Sequence, residues 1–149
     1  MAADLAAKMW ARAALDQYGP AIDFLPFIAL RLTFNRGISF GLLAYEGIAA
    51  KILLFALSCA ISVLMTLWAY RTPFKWEGLG FSLIVAGAWA NVIDRALFGA
   101  VTDYLDLHFG SWHLFVFNLA DIWISAGVCL LLIAQFSTRD VQSGQQRAI

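Results

Sequence analysis

The chain has 149 residues, of which 62% are hydrophobic and 13% charged, and its mean hydropathy of +0.75 lies beyond that of an ordinary soluble domain. Lys+Arg and Asp+Glu both number 10, so no net basic field advertises a nucleic-acid partner. Lipid is the solvent this composition fits, and the length allows a single domain, 1–149.

The first 20 residues lack the apolar core of a cleavable secretory signal. Asp4, Lys8, Arg12 and Asp16 recur every four residues through an Ala-rich stretch, which predicts a short amphipathic first helix at the membrane surface. Residues 21–50 mix apolar positions with Asp23, Pro26, Arg31, Asn35, Arg36, Gly37 and Gly41, too broken a pattern to span a bilayer. Within them, 30–34 followed by Asn35-Arg36-Gly37 reads as a strand entering a tight turn. Residues 52–70 carry no charge and are long enough for a hydrocarbon core of about 30 Å. A second span is predicted over 78–96, meeting Asp94 and Arg95 near its end, and a third over 112–136. The stretch between them, 99–110, has strand-and-turn character, and the polar residues 137–149 are expected to form a disordered cytoplasmic tail.

Cys59 and Cys129 lie in apolar runs without C-x-x-C spacing, which suggests helix packing in place of a disulfide or zinc knuckle. The tryptophans, among them Trp10, Trp68, Trp76 and Trp112, mostly fall near predicted membrane boundaries, where amphipathic rings are favoured. Basic residues beside the spans predict orientation. With the Arg71 loop cytoplasmic, Lys8, Arg12, Arg71, Lys75, Arg139 and Arg147 share one side, and Arg31, Arg36, Lys51 and Arg95 the other. Asp103 then faces outward.

An aspartate within a membrane helix costs about 2.5–3.5 kcal/mol on insertion scales, so Asp121 is expected to face protein or water. In a helix starting at 112 it would lie about 13 Å along the axis. Asp103 precedes that helix, and a helical hairpin returns the chain close to where it left, so the two carboxylates can face each other. Neighbouring carboxylates do not both ionise easily and share a proton. One can then activate water while the other polarises a scissile carbonyl, chemistry that needs no metal and no cofactor. His108 and His113, near Asp103 and Asp106, fit no compact zinc spacing. Asp106 reads as a solvated loop charge and Asp94 as a structural anchor; a bland alternative pairs Asp121 with Arg95.

Three stretches resemble the lipoprotein signal peptidases, also called signal peptidase II. Asn35-Arg36-Gly37-Ile38-Ser39-Phe40 is similar to their N-x-G-x-(A/S)-F motif. Gly87-Ala88-Trp89-Ala90-Asn91-Val92-Ile93-Asp94-Arg95 is similar to G-A-x-G-N-x-x-D-R, with Ala90 at the second glycine, and Phe117-Asn118-Leu119-Ala120-Asp121 matches F-N-x-A-D. Asp16-Gln17 resembles the start of a further motif, D-Q-x-x-K, with Pro20 at the lysine position.

The resemblance implies an all-α integral membrane fold, a four-helix bundle with a short or interfacial first helix and a small extracytoplasmic β-sheet cradle. It implies that Asp103 and Asp121 form the catalytic dyad, with Asp16, Asn35, Gly37, Asn91, Arg95 and Asn118 as substrate-binding or supporting residues. The implied activity is aspartic endoproteolysis of diacylglyceryl-modified prolipoproteins just before the lipidated cysteine. The partners expected are that substrate and membrane lipid, with no nucleic acid, no metal and no cofactor. The chain is expected to act as a multi-pass monomer in the bacterial inner membrane, with its site toward the extracytoplasmic face. The alternative is a non-catalytic protein of the same fold that binds lipidated peptides. A third class, a small transporter or ion-site subunit, would need more polar residues than 52–70 contains.

Overall fold

The structure is a computed structural model that describes residues 1–36, 48–73 and 75–146. In chain order its elements are α1 (Ala2–Ala14), β1 (Ile22–Leu25), β2 (Ile28–Asn35), α2 (Ile48–Arg71), α3 (Lys75–Phe98), β3 (Val101–Phe109), β4 (Trp112–Phe117) and α4 (Leu119–Gln146). The strands form one antiparallel sheet in the order β1-β2-β3-β4. Helix α3 is central, packed between α2 and α4, and α1 lies against α3, β3 and α4. The fold is therefore four helices with a small sheet, mixed and not purely α.

Helix α2 is apolar around its circumference and turns Ile52, Leu53, Leu57 and Ile61 outward, which a helix in lipid can do without cost. Its few polar residues lie in one row. The Ser58, Ser62 and Thr66 hydroxyls each donate to the carbonyl four residues back. Ser58 also accepts from Arg95 Nη1 at 3.1 Å and Thr66 from Trp89 Nε1 at 3.1 Å, tying α2 to α3. Among the described helices, those over Lys51–Arg71 and Lys75–Phe98 are long and apolar enough to cross a membrane; the apolar part of α4 is the shorter Leu119–Gln135.

Small residues let α3 and α4 approach closely, as is common between helices in lipid. A Cβ on Gly127 would come within 2.5 Å of the Gly80 carbonyl oxygen, and one on Gly87 would collide with the Ala120 carbonyl. Ala90, at the position of a motif glycine, is fully buried. Helix α3 ends where Gly99, at φ +74°, donates its amide to the Arg95 carbonyl at 2.9 Å, a left-handed cap. This stop sends the chain straight into β3. Gly110, at φ +60°, opens the two-residue turn that returns β3 into β4.

Several expectations are corrected. Residues 112–117 are not the start of the last helix but the strand β4, paired with β3; a short apolar run cannot be assigned to helix or strand by hydropathy alone. Residues 137–146 continue α4 where a disordered tail was expected. The second span, expected over 78–96, is longer and reaches from Lys75 to Phe98. Cys129 is exposed along α4, not packed. Lys8 and Arg12 do not group with Arg71: they reach Asn91 and Asp94 near the sheet end of α3, so the charge count assigned two residues to the wrong end. Gly37, Ser39 and Phe40 lie outside the described residues.

Gly127→Ala should destabilise the bundle although alanine is the better helix former by about 1 kcal/mol, because the added methyl overpacks the crossing, at a cost of about 1–3 kcal/mol. Gly78→Ala, where a Cβ meets no neighbour, should be neutral or stabilising. Thermal unfolding in detergent distinguishes the two signs.

Candidate active site

The site is built on the start of α4. A helix leaves its first N–H groups without intrahelical partners, and here that end is met by α1 through Asp4, by α3 through Asn91 and by β3 through Asp103. Asn118, fully buried, caps it: its Oδ1 accepts the Asp121 amide at 3.1 Å, while its own amide donates to Asp121 Oδ2 at 3.2 Å. This reciprocal arrangement is a capping box. The Ala120 amide donates to Asp4 Oδ1 at 2.8 Å, and the Leu119 backbone meets the Tyr104 hydroxyl. The Asn-x-x-Asp spacing of the sequence thus has a local cause, and it locks the Asp121 rotamer.

The remaining side-chain atoms tie the second aspartate to the first. Asn118 Nδ2 donates to Asp103 Oδ1 at 2.6 Å and to Asn91 Oδ1 at 3.3 Å. Asn91 Nδ2 donates to Asp121 Oδ1 at 2.9 Å, and Asn91 Oδ1 accepts from Lys8 Nζ at 2.6 Å. One amide side chain, Asn118, therefore touches both carboxyl residues. On the sheet, Asp103 pairs with Thr33 across β2, and the Asn35 side chain bonds Asp103 from the neighbouring position. Arg95 faces Asp103, Asp94 and Asp121.

A second layer fixes the strand that carries Asp103. Asp94 Oδ2 accepts the Thr102 amide at 2.6 Å and Asp94 Oδ1 the Thr102 hydroxyl at 3.3 Å. Asp94 is in turn paired with Arg12 at 3.1 Å and Lys8 at 3.7 Å. The Arg12 guanidinium lies 3.7 Å from the Phe98 ring centroid and 4.9 Å from that of Phe34, a cation–π clamp joining α1, α3 and β2. Lys8 also pairs with Asp4 at 2.9 Å, so one buried ammonium serves Asp4, Asn91 and Asp94.

Burial pushes the Asp103 carboxyl up to about 6. The Asn118 bond opposes the rise, the Asp121 charge adds to it, and the Asn35 bond and the Lys8 charge pull it back. Burial likewise pushes the Tyr104 hydroxyl up to about 12, so it stays protonated beside the helix start.

Of the residues expected from sequence, Asp103, Asp121, Asn35, Asn91 and Asn118 meet in one network, and Arg95 flanks it. Asp16 does not belong to it: it is exposed and accepts the Tyr18 amide at 3.0 Å in a local turn. The acid and lysine four residues apart are Asp4 and Lys8, one helical turn apart and both buried. Their spacing was visible in the sequence, but an amphipathic stripe does not say what its polar face will meet. Arg12 was missed for the same reason. Asp106 is corrected as well: it is fully buried on β3 and pairs with His113 Nδ1 at 2.7 Å and Arg31 Nη1 at 3.6 Å, because the hairpin folds β4 over it.

The family model for Signal peptidase (SPase) II matches residues 1–137. Lipoprotein signal peptidase of Hydrogenovibrio crunogenus is 37% identical over 135 residues, covering 89% of this chain and 78% of that protein. The one from Methylobacterium radiotolerans is 44% identical over 112 residues, covering 75% of this chain and 66% of its own length. A solved structure described as a bacterial membrane enzyme superposes with a TM-score of 0.75 at 24% identity, over 91% of this chain and 82% of its own. At that identity the likeness concerns the fold, and it is the fold of an integral membrane protein.

Lys8→Met should destabilise the protein by about 3–5 kcal/mol, since it leaves buried carboxylates without their cation. Asp16→Ala should stay within about 0.5 kcal/mol of the parent. Melting temperatures of the purified variants in one detergent test this reassignment.

Proposed function

The chain belongs to the signal peptidase II family, and from that premise we propose that it is an intramembrane aspartic endopeptidase removing signal peptides from diacylglyceryl-modified prolipoproteins, with cleavage before the lipidated cysteine. The observation that carries the aspartic mechanism is the Asn118 side chain bonded at once to Asp103 and, through its cap, to Asp121. The Asp121 charge also helps to raise Asp103, the effect expected of neighbouring carboxylates that share a proton.

In this mechanism Asp103 holds the shared proton and Asp121 is the base. Asp121 takes a proton from a water as that water attacks the scissile carbonyl carbon, and Asp103 gives its proton to the carbonyl oxygen. The tetrahedral intermediate collapses as Asp121 passes its proton to the leaving nitrogen and Asp103 recovers one from the gem-diol. Asn91, held by Lys8, and the Asn118 amide keep Asp121 oriented through both transfers. Asn35 and Arg95 border the dyad where a peptide carbonyl would lie, and the resemblance implies a supporting role for Gly37. The active chain is a monomer that crosses the bacterial inner membrane several times, with the sheet and dyad toward the extracytoplasmic face, an orientation that rests on the family resemblance and not on the count of basic residues. The binding-only alternative rests on Pro20 at the motif's lysine position and on the short first helix; Lys8, which reaches Asn91 at 2.6 Å beside the two aspartates, favours the peptidase reading over it.

Asp103→Asn and Asp121→Asn should each lower cleavage of a diacylglyceryl prolipoprotein, read by gel shift, by about 10²–10⁴-fold or more. A folded parent that does not cut, or a variant that cuts at the parent's rate, overturns the assignment. With Asp103 as the acid, kcat/KM should fall as pH rises above about 6. Asn118→Ala removes a donor that favours the ionised form, so its lower activity should decline at a higher pH.

The same group bears on stability. Its folded value, about 6, exceeds the ordinary 3.8, so its contribution is full below 3.8 and is lost as pH rises through about 6. Asp103→Asn should therefore melt above the parent at pH 7 and level with it at about pH 3.5, in thermal scans at both pH values.

A further inference from the structure

Beside the dyad, between the first turns of α2 and the last turn of α3, lies an open cleft of about 480 Å³. Among the described residues three cations line it, Arg36 just after β2, Lys51 from α2 and Arg95 from α3, and its apolar wall includes Ile52, Leu54 and Phe55. None of the described residues lining it is acidic. Arg95 Nε is buried there without a hydrogen-bond partner, which costs free energy unless an acceptor arrives.

The depth of these groups in the bilayer is set by the helices. Lys51 begins the apolar span of α2, and Arg95 is about one turn from the end of α3 at Phe98. The cations therefore sit where polar headgroups give way to hydrocarbon, and the apolar wall continues from them along α2 into the membrane. Arg95 is already faced by Asp103, Asp94 and Asp121, and Arg36 and Lys51 add positive charge on the cleft side, where it attracts an anion. The layering of charge above apolar surface matches a phosphate with an acyl chain beneath it.

We propose that this cleft binds one anionic phospholipid, its phosphate against Arg36, Lys51 and Arg95 and an acyl chain along Ile52, Leu54 and Phe55. A zwitterionic lipid fits less well, because its ammonium adds a fourth positive charge to the cluster. The diacylglyceryl chains of a lipidated peptide carry no phosphate to meet Arg36 and Lys51. The lipid site needs the membrane setting but not the peptidase chemistry.

The test is competition between phosphatidylglycerol and phosphatidylcholine for the purified full chain in detergent micelles, with the bound lipids counted by native mass spectrometry. The parent should retain phosphatidylglycerol preferentially. Arg36→Gln and Lys51→Gln should each reduce that preference by about fivefold, the effect of one cation at an anionic lipid surface. Lys51→Arg should keep it, as should Arg71→Gln, which removes the same charge from the far end of α2. Asp103→Asn removes an acid that faces Arg95 and should keep or raise it while cleavage is lost, so a failure of the peptidase reading is told apart from a failure of the lipid site. Equal retention of the two lipids by the parent overturns the proposal, as does a preference unchanged in the Arg36→Gln/Lys51→Gln double variant. Displacement of the lipid by millimolar inorganic phosphate also overturns it, in favour of a free-anion site.

Discussion

The constraint on which the rest of this structure depends is that the first turn of α4 is buried among protein groups, where its unpaired N–H groups cannot turn to water. A buried donor without an acceptor costs about 1–3 kcal/mol, so each must be met from nearby. Asn118, Asp4 and Tyr104 meet three of them, and those partners bring α1 and β3 to the same point. Once Asn118 is committed to the cap, its amide nitrogen is left facing Asp103 and Asn91. The junction of helix, strand and dyad is thus one hydrogen-bond arrangement seen from different sides.

Helix α3 converts that arrangement into geometry. Gly80, Gly87 and Gly127 let α3 and α4 approach so closely that a methyl group has no room between them. Asn91 can then reach Asp121 directly. At the same end, Asp94 holds the Thr102 amide and hydroxyl, setting the strand that carries Asp103 next in sequence. The two aspartates come from separate elements, and both elements are referenced to one turn of α3. Around them the charges are balanced in a compact group: Lys8 and Arg12 against Asp4 and Asp94.

That Asp103 and Asp121 would draw on amide partners was legible because each lies in a short ordered motif or is an acid in an apolar stretch, a placement that is costly without a purpose. Asn91 and Asn118 were legible for the same reason. Asp4, Lys8 and Arg12 were not, although their four-residue spacing stood in plain view. Such a stripe predicts a helix with one polar face, and the same pattern serves a helix facing water and a helix whose polar face fills a site. Asp106 failed in a similar way: its neighbours in sequence are those of a loop, and only the pairing of β3 with β4 and β2 covers it.

By itself the sequence determined the lipid setting, the two long apolar helices and the strand-and-turn character around 30–34 and 99–110, and it singled out Asp103 and Asp121 as candidates, since each depends on composition or on neighbours a few residues apart. The tertiary structure alone decided that 112–117 leaves the helix to become a strand, that Asp16 yields its expected place to Asp4 and Lys8, and that Asn118 joins the two acids. Those outcomes turn on contacts between segments far apart in the chain. A residue's local pattern says which groups it offers, and the fold says which groups are near enough to take them.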